Sequence, residues 1–228
     1  MSFIELLDLL KQNMNYFKKP IKFIVLIGFF SIFSAAKAGS YEDFFRAIQL
    51  DQAREIQSLL QRGFDPNTVN PDGTPALLKA LQEQSFKAAQ ALLDSPQIKP
   101  DVRTVQDESA LMLAALRGQE TLAVRLVSLG AAVNKAGWTP LHYAVTGGQL
   151  HVAAFLVGAG ADVNAESPNG TTPLMMAAMY GNSEVVKLLL ESGAEAYPRN
   201  DQGLSAMDFA HKAGREDSAK LIQLVLDR

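Results

Sequence analysis

The feature that most constrains this chain is a repeat of 33 residues. Thr139-Pro140 returns as Thr172-Pro173, and the equivalent Ser205-Ala206 follows at the same interval. Upstream, Ser109-Ala110 and Thr74-Pro75 extend the series at spacings of 30 and 35. A second marker runs in phase with the first: RGFDPN from Arg62, SLGAAVN from Ser128, AGADVN from Ala159 and SGAEAY from Ser192. A unit this small cannot bury its own apolar face, so its copies must stack and share one continuous core.

Each unit reads as two helices. Thr172 stands where its hydroxyl caps the free amides of a helix start, and Pro173 suits the first helical position because it has no amide to leave unpaired. Gly181 ends that helix. Asn182 or Ser183 then caps a second helix, in which Val185, Val186, Leu189 and Leu190 share one face, and Gly193 stops it. Small residues such as Ala177 and Ala178 allow the paired helices to approach closely.

These residues resemble the ankyrin repeat, whose pattern is a Gly-containing turn, T-P-L-H-x-A-A, a short turn, an apolar helix ending in L-L, and G-A-x-x-N. AGWTPLHYAVTGGQLHVAAFLVGAGADVN, from Ala136, matches almost throughout. NGTTPLMMAAMYGNSEVVKLLLESGAEAY, from Asn169, lacks only the histidine, replaced by Met175, and the final asparagine. The units over 71–103 and 104–134 are weaker, and those over 40–70 and 201–228 depart most, as terminal capping units do. The resemblance implies an all-α solenoid of about six helix-turn-helix units with short β-hairpin loops, spanning 39–228, and a module that binds proteins.

His142 sits in GWTPLHYA, beside Tyr143 and the chain's single tryptophan. Its equivalent one unit later is Met175, and a position that accepts methionine is not catalytic. The family resemblance implies that this histidine ties neighbouring units together through backbone and threonine groups. His151 and His211 have no H-E-x-x-H partner or cysteine nearby. No G-x-S-x-G elbow, P-loop, C-x-x-C or dinucleotide fingerprint occurs, and the glycines of GAGADVN are helix-ending glycines of the repeat. Glu42-Asp43 and Glu216-Asp217 read as solvated charges at helix starts, where the helix dipole favours them. The expectation is a chain that is not an enzyme and takes no cofactor and no metal.

The N-terminus carries Lys18, Lys19 and Lys22, then the apolar run FIVLIGFFSIF from Phe23, then AAKAG. That order predicts an export signal over 1–38, cut between Ala38 and Gly39, and Met14 opens a more typical signal than Met1. The run is shorter than the roughly 18 to 20 apolar residues a membrane helix needs, so no stable span is expected once the signal is removed. Removal takes five of the 21 basic and two of the 24 acidic residues, leaving 16 against 22, a charge of about −6. That balance disfavours nucleic acid as a partner. The chain has no cysteine. In an exported protein this fits a bacterial periplasm, with secretion or an uncleaved anchor as the alternatives.

The partner is therefore expected to be a protein, bound by a monomer. In ankyrin domains the hairpin tips and the exposed ends of the first helices line the concave face, which here brings forward Leu116, Arg117, Trp138, Met179 and Tyr180 as partner-binding residues. Arg, Trp and Tyr are the residue types that most often dominate interface energies. Lys135, Ala136, Glu166, Ser167, Asn169, Arg199 and Asp201 add hairpin positions, and Thr146 and Lys212 helix ends. Tyr143, Met176 and Phe209 are read as packing between neighbouring first helices. The alternative function is an accessory or immunity-type protein that assists or inhibits one envelope enzyme or toxin.

Overall fold

The computed structural model describes residues 40–227; the expected signal segment and its cleavage point lie outside them. The described residues fall into two units, 40–46 and 47–227. Residues 40–49 are helical (α1), and within the first unit the Tyr41 and Phe45 rings stand 5.1 Å apart.

From Ala47 onward the chain is built of helix pairs. After α2 (Ala53–Gln61) come α3 (Ala76–Gln82) with α4 (Phe86–Leu93), α5 (Ala110–Leu116) with α6 (Glu120–Ser128), and α7 (Pro140–Thr146) with α8 (Leu150–Gly158). α9 (Pro173–Tyr180) with α10 (Ser183–Glu191) and α11 (Ala206–Lys212) with α12 (Glu216–Leu226) complete the series. First helices pack on first helices and second helices on second helices, from one unit to the next. This is an all-α repeat architecture. The expected hairpins are reduced to single bridges, Val69 with Pro75 and Arg103 with Ser109, and to turns such as Ser167 N–H to the Thr171 carbonyl.

The periodic core follows from close approach. Ala80, Ala114, Ala144, Ala177 and Ala210 hold the same place in five first helices, and each is fully buried. A larger side chain there would push neighbouring first helices apart. On the second helices, Leu59, Leu92, Leu126, Leu156, Leu189 and Ile222 recur at one buried place and fill the wider gap. Val185 and Val186 are buried as their spacing predicts, while Leu190 is half-buried.

Four of the first helices, α5, α7, α9 and α11, are started by the same two-way closure. Ser109, Thr139, Thr172 and Ser205 accept from the amide of the residue three positions on, and that residue's side chain accepts the cap's own N–H. The returning atom differs from unit to unit: sulfur of Met112 and Met175, Nδ1 of His142, a carboxylate oxygen of Asp208. Any acceptor of the right reach serves.

The unit with α3 corrects the expected alignment. There the cap position is held by Pro75, not Thr74, and Pro75 makes the bridge that Ser109 makes in the next unit. The spacing to Ser109 is therefore 34 residues. Proline has no side-chain acceptor, so this helix begins without a side-chain cap.

A ladder of asparagines joins the outer turns. Asn67 donates to the Gln97 carbonyl and accepts from Lys99 N–H; Asn134 does the same with Gly160 and Asp162, and Asn164 with Gly193 and Glu195. Each asparagine bonds backbone one unit on, which explains the closing residue of the G-A-x-x-N pattern. Tyr197 takes this place in the fifth unit, and its hydroxyl reaches the Leu226 carbonyl.

Candidate functional site

A cleft of about 270 Å³ opens along the first helices of the middle units, lined by Leu116, Trp138, His142, Tyr143, Thr146 and Met176. Three consecutive units contribute to it. Leu116 ends α5; Tyr143 and Thr146 lie on α7, preceded by Trp138; Met176 lies on α9. At this volume, below the roughly 300 Å³ at which small-molecule pockets begin, the cleft has room for one large side chain.

Its polar groups are largely committed. His142 is fully buried, its Nδ1 accepting from Thr139 and its Nε2–H donating to the Thr171 carbonyl at 3.0 Å. The ring thus bridges two units in a single tautomer. Burial holds its pKa down at about 4, against a smaller upward pull from the Thr171 carbonyl. It is neutral at ordinary pH, and with both nitrogens engaged it has no free acid or base function.

Trp138 packs edge-on against this imidazole, with ring centroids 5.2 Å apart. The Thr146 hydroxyl donates to the His142 carbonyl, and the Tyr143 hydroxyl donates to Glu108 at 3.1 Å. Burial, reinforced by the Glu108 charge, pushes the Tyr143 phenol up to about 12. What remains to a ligand is apolar surface, plus the indole N–H of Trp138, which has no hydrogen-bond partner among the described residues.

The expected binding residues separate into two groups. Leu116 and Trp138 line the cleft, both half-buried, and Arg117 follows Leu116 as an exposed side chain. Met179, half-buried, and Tyr180, exposed, lie at the end of α9 and are not part of the lining. Tyr143, Thr146 and Met176 belong to the cleft, so the reading of Tyr143 and Met176 as packing alone missed their half-exposed side. Phe209, also half-buried, is outside the lining.

Two hairpin residues expected to face outward do not. Ser167 is buried, its Oγ donating to Asn169 and accepting from Thr171 N–H. Lys135 is nearly buried, its ammonium 2.6 Å from Asp107 and donating to the Ala136 and Trp138 carbonyls. Asp107 also pairs with Arg103. Together these charges hold the Asp107 carboxyl below the usual range, Lys135 contributing most, and they fix the loop that presents Trp138. The sequence signal for this was a lysine directly before the turn with an aspartate one unit earlier.

Among the described residues no group of three or more His, Asp or Glu stands together as a metal-ligand set. No helix of the described residues is long and apolar enough to cross a membrane.

Comparison with known proteins matches this architecture. A family model described as ankyrin repeats in three copies fits residues 97–167 and again 155–225. The chain is 30% identical over 123 residues to the B-cell lymphoma 3 protein homolog of Mus musculus, which covers 51% of the chain and 28% of that protein. It is 40% identical over 109 residues to the ankyrin repeat and SAM domain-containing protein 6 of Rattus norvegicus, 46% of the chain and 12% of that protein. It is 38% identical over 65 residues to protein phosphatase 1 regulatory subunit 27 of Homo sapiens, 27% of the chain and 42% of that protein. The chain thus spans less than half the length of each of these relatives.

Proposed function

Since the chain belongs to the ankyrin repeat family, whose repeats serve as protein–protein interaction modules, we propose that it binds one protein partner in a bacterial envelope, along the first helices of its middle units. The observation that carries this is the cleft. Apolar side chains from three units converge there, around polar groups that are already paired, and such a surface offers binding energy without chemistry. Burying a large apolar side chain contributes about 1.5 to 3 kcal/mol, and a buried aromatic pair adds about 0.5 to 1.5 kcal/mol. The envelope placement rests on the lysines, the short apolar run and AKAG near the N-terminus.

Substitution separates the two groups of candidate residues. Leu116→Glu puts an unpaired charge into the cleft, at a helix end where little of the core is disturbed. With a partner recovered by affinity capture from envelope extract, this variant is expected to stay folded and to bind at least tenfold more weakly, about 1.4 kcal/mol. Met179→Glu with Tyr180→Ala tests whether the contact reaches the end of α9, and the same tenfold loss is expected. Unchanged affinity in both folded variants would place the partner on another surface.

A further inference from the structure

Two charges stand at the ends of α5 without an ion-pair partner among the described residues. Glu108, just before the helix cap, holds the Tyr143 hydroxyl and has no cationic partner among the described residues. Arg117, at the C-terminal end, is exposed and has no ion-pair partner among them either. Other charges of this region are spent: Lys135, Asp107, Arg103 and Asp101 neutralise one another. The cleft lies along the same stretch, from Tyr143, whose hydroxyl meets Glu108, to Leu116 and Thr146 at the helix ends.

We propose that the cleft takes one extended peptide segment of the partner, with a large apolar side chain at its centre, a basic residue two positions to one side facing Glu108 and an acidic residue two positions to the other facing Arg117. The inference rests on the reading of this face as the docking surface and adds the ligand's chemistry. Three observations fix it. The cleft's volume admits one large side chain, and its lining is apolar. Glu108 lies one extended step before the cap Ser109, and Arg117 directly follows α5; one step of about 3.3 Å and eight of about 1.5 Å separate them by roughly 15 Å, which an extended chain spans in four to five residues. The opposite signs at the two ends then set the order of charges along the ligand, since like charges brought together there would be repelled. The indole N–H of Trp138 is left for a backbone carbonyl of that segment.

The test is unbiased selection. A random twelve-residue peptide library displayed on phage is panned against the immobilised full chain, and enriched peptides are synthesised without tryptophan. Trp138 is the only tryptophan, so its emission reports occupancy of this cleft alone. Enriched peptides are expected to carry a large apolar residue flanked two positions away by opposite charges, and to shift the Trp138 emission. Arg117→Glu is expected to weaken them at least tenfold and to favour versions whose acidic residue is replaced by lysine. Glu108→Gln, which keeps the acceptor for Tyr143 and removes the charge, is expected to abolish the preference for the basic residue.

No enrichment, enriched peptides lacking the paired charges, or binding indifferent to both variants would overturn the proposal. The wider reading fails separately. If Leu116→Glu releases the captured protein partner while no peptide moves the Trp138 emission, the face is right and the ligand chemistry wrong. If peptides bind as described and the protein partner ignores Leu116→Glu, the partner docks elsewhere.

Discussion

His142 shows how one residue can be central to stability and absent from chemistry. Its pKa is about 4 in the folded chain, against about 6.5 for an unfolded histidine. Below pH 6.5 the unfolded chain takes up a proton that the folded one refuses, so stability falls as the pH drops from about 6.5 to about 4 and levels off below that. The full loss is about 3 kcal/mol. His142→Met places in this unit the residue that Met112 and Met175 supply in two others, and the sulfur keeps the bond to the Thr139 amide while losing that to Thr171. The variant is expected to be somewhat less stable at pH 7.5 and to lose most of the decline between pH 6.5 and 4, read from urea midpoints at several pH values. An undiminished decline would assign the pH dependence to other groups. That His142 is not catalytic was legible from Met175, and its tie to the next unit from the family resemblance. The ring's place beside Trp138 was not, because the turn that carries Trp138 is tied by Lys135 to Asp107 of the preceding unit, a contact between units that no local pattern announces.

At the level of the helix pair, glycines divide by what surrounds them. Gly147 ends α7 with an ordinary φ of −76°, yet a Cβ there would lie 2.5 Å from the Leu116 carbonyl oxygen. That is backbone, which cannot step aside. Gly158, the last residue of α8, has open space around it. Gly158→Ala is therefore expected to stabilise by about 0.4 to 1 kcal/mol, by restricting the unfolded chain and favouring the helix. Gly147→Ala is expected to destabilise by about 1 to 3 kcal/mol, in the range of an overpacked site, and to widen the spacing of α5 and α7 that shapes the cleft. Chemical denaturation of the two variants side by side checks both signs, and equal effects would contradict the packing account. The helices, caps and buried faces followed from the sequence because each is a local pattern repeated four times or more. The cleft did not, and the alignment at Pro75 shows why. Taking Thr74 as the equivalent of Thr139 puts Leu78 in register with Tyr143, which reads as a buried apolar column; with Pro75 the equivalent is Lys79, and a lysine in the column of Leu113, Tyr143, Met176 and Phe209 marks it as facing solvent.

At the scale of the whole molecule, the proposal of an envelope partner requires that the chain be exported. Protein recovered from a periplasmic fraction is expected to begin at Gly39 by N-terminal sequencing, and an intact Met1 or Met14 in a soluble cytoplasmic fraction would contradict export. The docked face is open to a direct measurement. A photo-cross-linking amino acid is placed singly at Thr146, in the cleft, and at Lys187, an exposed position on α10, and each protein is irradiated in cells and read by mass spectrometry. The account predicts one protein adduct from position 146, with its cross-link mapped to an extended segment of the partner, and none from position 187. The same adduct from position 187, with position 146 silent, would contradict it.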